Sequence, residues 1–274
     1  MTNTIRTRFA PSPTGYLHRG HALSALYAFD FAQKHGGEFL LRIEDIDTVR
    51  CREDYIQPML DDLTWLGLSW PEPVRRQSQH FEDYQNALSK LDALGVLYPC
   101  TCTRKQIQAA HPVMGKEGPL YPGLCKGKAL TLSEEYVIRL DLEKAENYLR
   151  DQGRYPTQWL DLEKGMQQSC PLALGDVVLS RKDTPTSYHL SVVVDDALQG
   201  ITHVIRGMDL FYSTHIHAIL QALLEFEQPT YIHHQLMVDA EGKKFSKRDK
   251  SETLQSIREQ NACAAVFIEN LPLR

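Results

Sequence analysis

Pro11, Pro13 and Gly15 fall within five residues and cut the chain between two periodic runs. Before them, Ile5 to Phe9 alternates apolar and basic residues, the period of a short strand. After them, Leu23, Leu26, Tyr27 and Phe31 fall at i, i+3, i+4 and i+8, one face of a helix. His35-Gly36-Gly37 stops that helix, and "EFLLRIED" from Glu38 reads as a second strand leading into an acidic turn. "APSPTG" fits neither period, because proline removes a donor and fixes the backbone. The order is therefore strand, loop, helix, strand. That order opens a doubly wound parallel sheet, α/β in class, whose ligands bind beyond the carboxyl ends of its strands.

The mouth of the helix carries His18-Arg19-Gly20-His21. A helix N-terminus presents unpaired N–H groups and a partial positive charge, which suits an anion. Gly20 lets a phosphate or a nucleobase come close to the backbone. Two imidazoles there can donate to phosphoryl oxygens as charge builds on them. The alternative is that His18 and His21 only cap a surface helix. More than 220 residues downstream, "KKFSKRDK" gathers Lys244, Lys247 and Arg248 on a turn beside Gly242. Alone, such a run is usually a solvated loop.

The rest of the chain sets bounds. Its net charge is −5, so a nucleic-acid partner would have to be met by a local basic patch. No apolar run reaches the length of a membrane span, and Met1 to Thr7 has no signal-like apolar stretch, so a cytoplasmic protein with no membrane partner is expected. Helices are predicted over Arg52–Leu66, Ser78–Leu94 and Ser213–Phe226, with a helical end from Glu252. A buried-strand texture is predicted from Tyr188 through Leu210, and a short strand at "YIHHQLMVD". Residues 99–187 are rich in Pro, Gly and Lys in their first half and read as an insertion. It splits a sheet domain made of 1–98 and 188–249, and 250–274 is left as a short tail.

Disulfides are disfavoured in the cytoplasm, so the six cysteines need another account. Cys51, Cys170 and Cys263 are isolated and read as small buried side chains. Cys100, Cys102 and Cys125 offer three thiolates within 26 residues, one ligand short of a tetrahedral structural zinc site. Tyr121, His111 and water are candidates for the fourth ligand, and free thiols are the alternative.

"HRGH" and "KFSKR" together resemble the two signature motifs of class I aminoacyl-tRNA synthetases. "RFAPSPTGYLHRGHA", "LLRIEDID" and "VVVDDALQGITHVIRGMDL" resemble the glutamyl-tRNA synthetase group more narrowly, in the same order along nearly the whole chain. The resemblance implies a Rossmann-type fold and the ATP-dependent activation of L-glutamate, with Mg2+ accompanying the nucleotide. A carboxylate is already ionised at pH 7, so the site needs placement and positive charge rather than a general base. By resemblance, His18, His21, Lys244 and Lys247 are catalytic, and His18, Gly20, His21 and Lys247 bind ATP. Glutamate's ammonium wants an acidic partner and its side chain an arginine fork. The resemblance lines that pocket with Arg8, Phe9, Ala10, Pro11 and Ser12, with Glu44 near the ammonium, and with Tyr188 and Arg206. Asp195 and Asp196 are read as bracing the fold.

A compact subgroup of the family shows C-x-C followed by Y-x3-C, with zinc held by three cysteines and a tyrosine. Cys100, Cys102, Tyr121 and Cys125 match it. Only 26 residues follow Arg248, too few for a helical domain with its own core, so no anticodon-binding domain is expected. The resemblance to the compact subgroup implies that glutamate is activated without tRNA and passed to the queuosine base in the anticodon loop of tRNA-Asp, by a monomer. Arg104, Lys105, Lys116, Lys126 and Lys128 are the expected RNA footprint. Rival readings are a truncated glutamyl-tRNA synthetase charging the tRNA 3′ end, another class I nucleotidyltransferase, and a non-catalytic tRNA-binding module.

Overall fold

The structure, a computed structural model, describes residues 4–111, 113–116, 118–128, 136–171, 174–237, 252–260 and 263–272. The first strand, β1 (Arg6–Phe9), runs into the proline loop, then α1 (Arg19–Lys34), then β2 (Glu38–Ile43). β1 and β2 pair in parallel, Arg6 opposite Glu38 and Phe9 opposite Leu41. The strand Arg75–Arg76 adds to β2 in parallel. A second parallel pair joins His203–Gly207 to Thr230–His234, with Arg206 opposite His233. Thr202 ties the two pairs together, accepting from Arg6 N at 2.7 Å and donating its own N–H to Arg6 O at 2.9 Å.

The local chemistry explains α1. Its buried stripe is Ala22, Leu23, Ala25, Leu26, Ala28 and Ala32. Four alanines in that stripe let the helix lie close to the strands, and Thr7 Oγ1 donates to Ala28 O at 2.8 Å across the gap. Phe9, Leu41, Ile43, Met59, Leu63, Ile205 and Leu254 complete the same core.

By packing, the chain forms two units. One is Met1–Gln79, Ile201–Asp209 and Pro229–Arg274; the other is His80–Gly200 and Leu210–Gln228. The first holds the parallel strands. The second holds the helices Phe81–Ala93, Tyr188–Leu198 and Ser213–Leu224, which pack on one another. It also holds the antiparallel strands Leu97–Cys100, Val137–Leu140 and Val178–Ser180, and the hairpin Gln158–Asp161 with Gly165–Gln168. These units cut the chain by packing, after Gln79 and Gly200, whereas the expected insertion boundaries cut it by texture.

Two sequence readings are corrected. The run from Tyr188 is a helix through Leu198, and strand begins only at His203. The run is buried on nearly every side, so it shows no helical period, and its three valines mimic a strand. Cys170 and Cys263 are exposed rather than buried, and Cys51 is half-buried. The bracing role read for Asp195 fits its position: it is fully buried and accepts from Tyr84 Oη at 3.0 Å.

Candidate active site and metal cluster

The histidine loop is a helix cap. His18 has extended backbone and stands at the N-cap of α1, where its Nδ1 accepts from Gly20 N at 3.1 Å. His21, three residues on, accepts at its own Nδ1 from His18 N at 3.1 Å. This reciprocal capping box brings the two rings together, tilted by 34° with centroids 3.8 Å apart. Both Nδ1 atoms act as acceptors, so each ring carries its proton on Nε2 when neutral. Each Nε2 is then a donor directed away from the cap. Capping and anion binding are therefore compatible rather than alternatives. A Cβ on Gly20 would lie 3.1 Å from the His18 ring, so this position keeps the ring in place.

Arg19 turns elsewhere. It pairs with Glu252 at 3.1 Å and lies 5.1 Å over the Phe267 ring. Beside it, Leu254 N donates to Leu17 O at 2.8 Å, so the chain's last segment is bonded to the histidine loop. Lys244, Lys247 and Arg248 lie outside the described residues.

The expected glutamate residues of the first unit gather at strand ends. Arg8 and Phe9 close β1, both buried, and Ala10, Pro11 and Ser12 follow them. Glu44 follows β2, its N–H bonded to Pro11 O at 3.0 Å, which sets it beside that loop. Its carboxylate accepts from Arg42 Nη2 at 3.1 Å, and Arg42 is wholly buried. Arg206 is 5% exposed; its Nε donates to His233 Nε2 at 3.2 Å, and its guanidinium sits 5.5 Å over the Tyr231 ring. Tyr188 belongs to the second unit, where it opens its helix with its ring 5.5 Å from His189 and 5.6 Å from His217.

Sequence reasoning missed Tyr231 and His233. A period-2 signal was available: in "YIHH" they share one face of a strand, and their rings stack at 5.9 Å. Cys51 was read only as packing. Its thiol is pushed up to about 11, first by burial and then by the Asp45 and Asp47 carboxylates, which disfavours the thiolate.

In the second unit, the sulfurs of Cys100, Cys102 and Cys125 all lie within 4.8 Å of one another and could hold a metal ion. Cys102 and Cys125 Sγ are 3.5 Å apart, and Tyr121 Oη stands 3.2 Å from Cys100 Sγ and 3.6 Å from Cys102 Sγ. A tetrahedral zinc with bonds of about 2.3 Å to sulfur and 2.0 Å to oxygen needs edges of about 3.5–3.8 Å, so three thiols and a phenol at these separations fit such an ion. Burial would raise Cys125, yet hydrogen bonds from Tyr121, Thr101 and the two other thiols bring it down to about 6. Burial raises Tyr121 strongly. Arg139 lies 3.9 Å over the Tyr121 ring and holds it.

Lys126 is withdrawn from the expected RNA footprint. Its amine sits 3.0 Å from Asp141 and 3.1 Å from Asp176, both nearly buried. Asp176 also accepts from Tyr98 Oη at 2.6 Å and Leu142 N at 3.1 Å, so Lys126 closes a brace beside the cysteine cluster. Lys116 lies 5.0 Å over the Tyr212 ring, and Arg104 and Lys105 open the helix Arg104–Ala110 on its exposed side.

A parallel α/β sheet whose first helix opens on a paired-histidine cap is the frame of a nucleotide-handling enzyme. The chain matches the family "tRNA synthetases class I (E and Q), catalytic domain" over residues 4–274, and it belongs to that family of ligases. A glutamyl-Q tRNA(Asp) synthetase from Rhodobacter capsulatus is 44% identical, covering 94% of this chain and 96% of its own length. Another from Symbiobacterium thermophilum is 40% identical, covering 92% of this chain and 80% of its own. The crystal structure of a glutamate-tRNA synthetase from Elizabethkingia anophelis superposes with a TM-score of 0.78 at 27% identity. It covers 97% of this chain, which spans 60% of that longer one. Among the described residues, no helix is long and apolar enough to cross a membrane.

Proposed function

We propose that this chain activates L-glutamate with ATP and Mg2+ in the absence of tRNA, then transfers the glutamyl group to the queuosine base in the anticodon loop of tRNA-Asp. The observation that carries this is the likeness to the Rhodobacter capsulatus glutamyl-Q tRNA(Asp) synthetase across nearly the whole of both chains.

In the first step a glutamate α-carboxylate oxygen attacks the α-phosphorus of ATP, and the bond to the bridging oxygen breaks to release pyrophosphate. Arg206 receives the side-chain carboxylate, its guanidinium oriented by two neutral rings. Glu44 receives the ammonium, and Arg8 to Ser12 form the floor of the pocket. The Nε2–H groups of His18 and His21 donate to phosphate oxygens, with Lys244 and Lys247 supplying further positive charge. In the second step a diol hydroxyl of the modified base attacks the activated carbonyl, and AMP leaves. In this reading 1–98 with 188–249 form the catalytic domain that 99–187 interrupts.

The cysteine cluster holds a structural zinc through Cys100, Cys102, Cys125 and Tyr121. Arg104, Lys105, Lys116 and Lys128 meet the phosphates of the stem-loop. The protein works as a cytoplasmic monomer. Pyrophosphate exchange that requires glutamate and ATP-Mg2+ and proceeds without RNA tests the first step; exchange appearing only when tRNA is added overturns it.

A further inference from the structure

His234 ends the strand Thr230–His234 and is 4% exposed. Both of its ring nitrogens are bonded. Nδ1 lies 2.9 Å from Gln235 O, a carbonyl that can only accept, so Nδ1 carries a proton. Nε2 lies 2.9 Å from Ser24 Oγ. Ser24 sits one turn into α1; with the ring neutral its one hydroxyl proton goes to Nε2, and Gly20 O, 3.2 Å away, is the alternative acceptor. Tyr27, on the next turn, lies flat against the His234 ring at 5.2 Å and 5°. The chain of contacts thus runs from the end of one strand, through a histidine and a serine, to the glycine of the histidine motif. The Gly20 N–H holds the His18 ring.

We infer that His234 is a positioning residue for ATP, fixing the first turn of α1 through Ser24 so that Gly20 and His18 stand ready for the phosphates. This rests on the proposed activation of glutamate by ATP. The polar link joins a strand end to a helix mouth whose Leu17, Ala22 and Leu23 sit in the apolar core, and a buried hydrogen bond left without its partner is costly. Oriented donors lose effect when they move by a fraction of an ångström.

The test is pyrophosphate exchange with four variants: His234→Ala, His234→Asn, His234→Gln and Ser24→Ala. Gln places its amide group near the Nε2 position and keeps the bond toward Ser24, its Oε1 accepting from the hydroxyl as Nε2 does. Asn keeps only the one toward Gln235 O. The inference expects the KM for ATP to rise ~10-fold in His234→Ala, His234→Asn and Ser24→Ala, and to return to within ~3-fold of wild type in His234→Gln, the scale of one buried hydrogen bond. The KM for glutamate stays in place in all four. His234→Ala combined with Ser24→Ala loses no more than either alone, since both break one link. A partly unfolded preparation lowers kcat through its active fraction and leaves both KM values alone, so instability cannot imitate the pattern. Unchanged KM for ATP in the Ala and Asn variants of an active enzyme overturns the inference alone. A wild-type protein with no exchange overturns the proposed activation, and this inference with it.

Discussion

Arg258 Nε donates to Asp62 Oδ1 at 3.1 Å, joining a short helix near the end of the chain to one in its first quarter. Asp62 is wholly buried, and its Oδ2 has no hydrogen-bond partner among the described residues. Burial pushes its carboxyl up to about 6, with Arg258 pulling the other way. The folded state thus holds this proton more tightly than the unfolded one, whose carboxyl titrates near 3.9. Such a group adds stability below about pH 4 and loses it as pH rises to about 6. Compared with Asp62→Asn, which cannot ionise, the wild type should lose ground in urea midpoint across that window and hold a constant difference above it. A difference that does not vary with pH contradicts the reading.

Gly20→Ala tests the histidine cap. The added Cβ meets the His18 ring at 3.1 Å, so the oriented ring has to give by a few tenths of an ångström. Glutamate-dependent pyrophosphate exchange should fall by ~10²-fold, the scale of a lost oriented donor. The fold should survive, because alanine is the better helix former. Exchange within a few-fold of wild type would show that the cap geometry is not what the reaction uses.

How far the sequence carried this far depends on distance along the chain. β1, α1 and β2 were legible because their signals are local: alternation, a 3.6-residue stripe, prolines between. The cysteine cluster was legible for the same reason, since Cys100, Cys102 and Cys125 lie close in sequence. The helix Tyr188–Leu198 was not, because burial on all sides erases the period that marks a helix. Nor were the pairs Asp62 with Arg258 and Ser24 with His234. They lie 196 and 210 residues apart, and only the packed chain brings them together. Lys126 shows the reverse error: a surface-looking charge is bound by Asp141 and Asp176, and no periodicity or motif announces those two pairings.

In the cysteine cluster one atom separates the proposed tyrosine ligand from packing. Tyr121→Phe keeps the ring under Arg139 and removes only the oxygen. Zinc affinity, followed by competition with a chromogenic chelator, should drop by ~10–100-fold while the far-ultraviolet spectrum holds. Cys125→Ser should lose more than ~100-fold and loosen the second unit. Unaltered affinity in Tyr121→Phe would leave the cysteines with a different fourth ligand.

The central claim concerns where the glutamate goes, and radiolabelled glutamate with ATP-Mg2+ reports it directly. Two acceptors are offered: a queuosine-bearing anticodon stem-loop of tRNA-Asp, and whole tRNA-Glu. The account predicts label on the stem-loop alone, none on the same stem-loop with guanosine in place of queuosine, and a yield that falls steeply with salt as phosphate contacts are lost. Label on the 3′-terminal ribose of tRNA-Glu, with the queuosine stem-loop left bare, would contradict it.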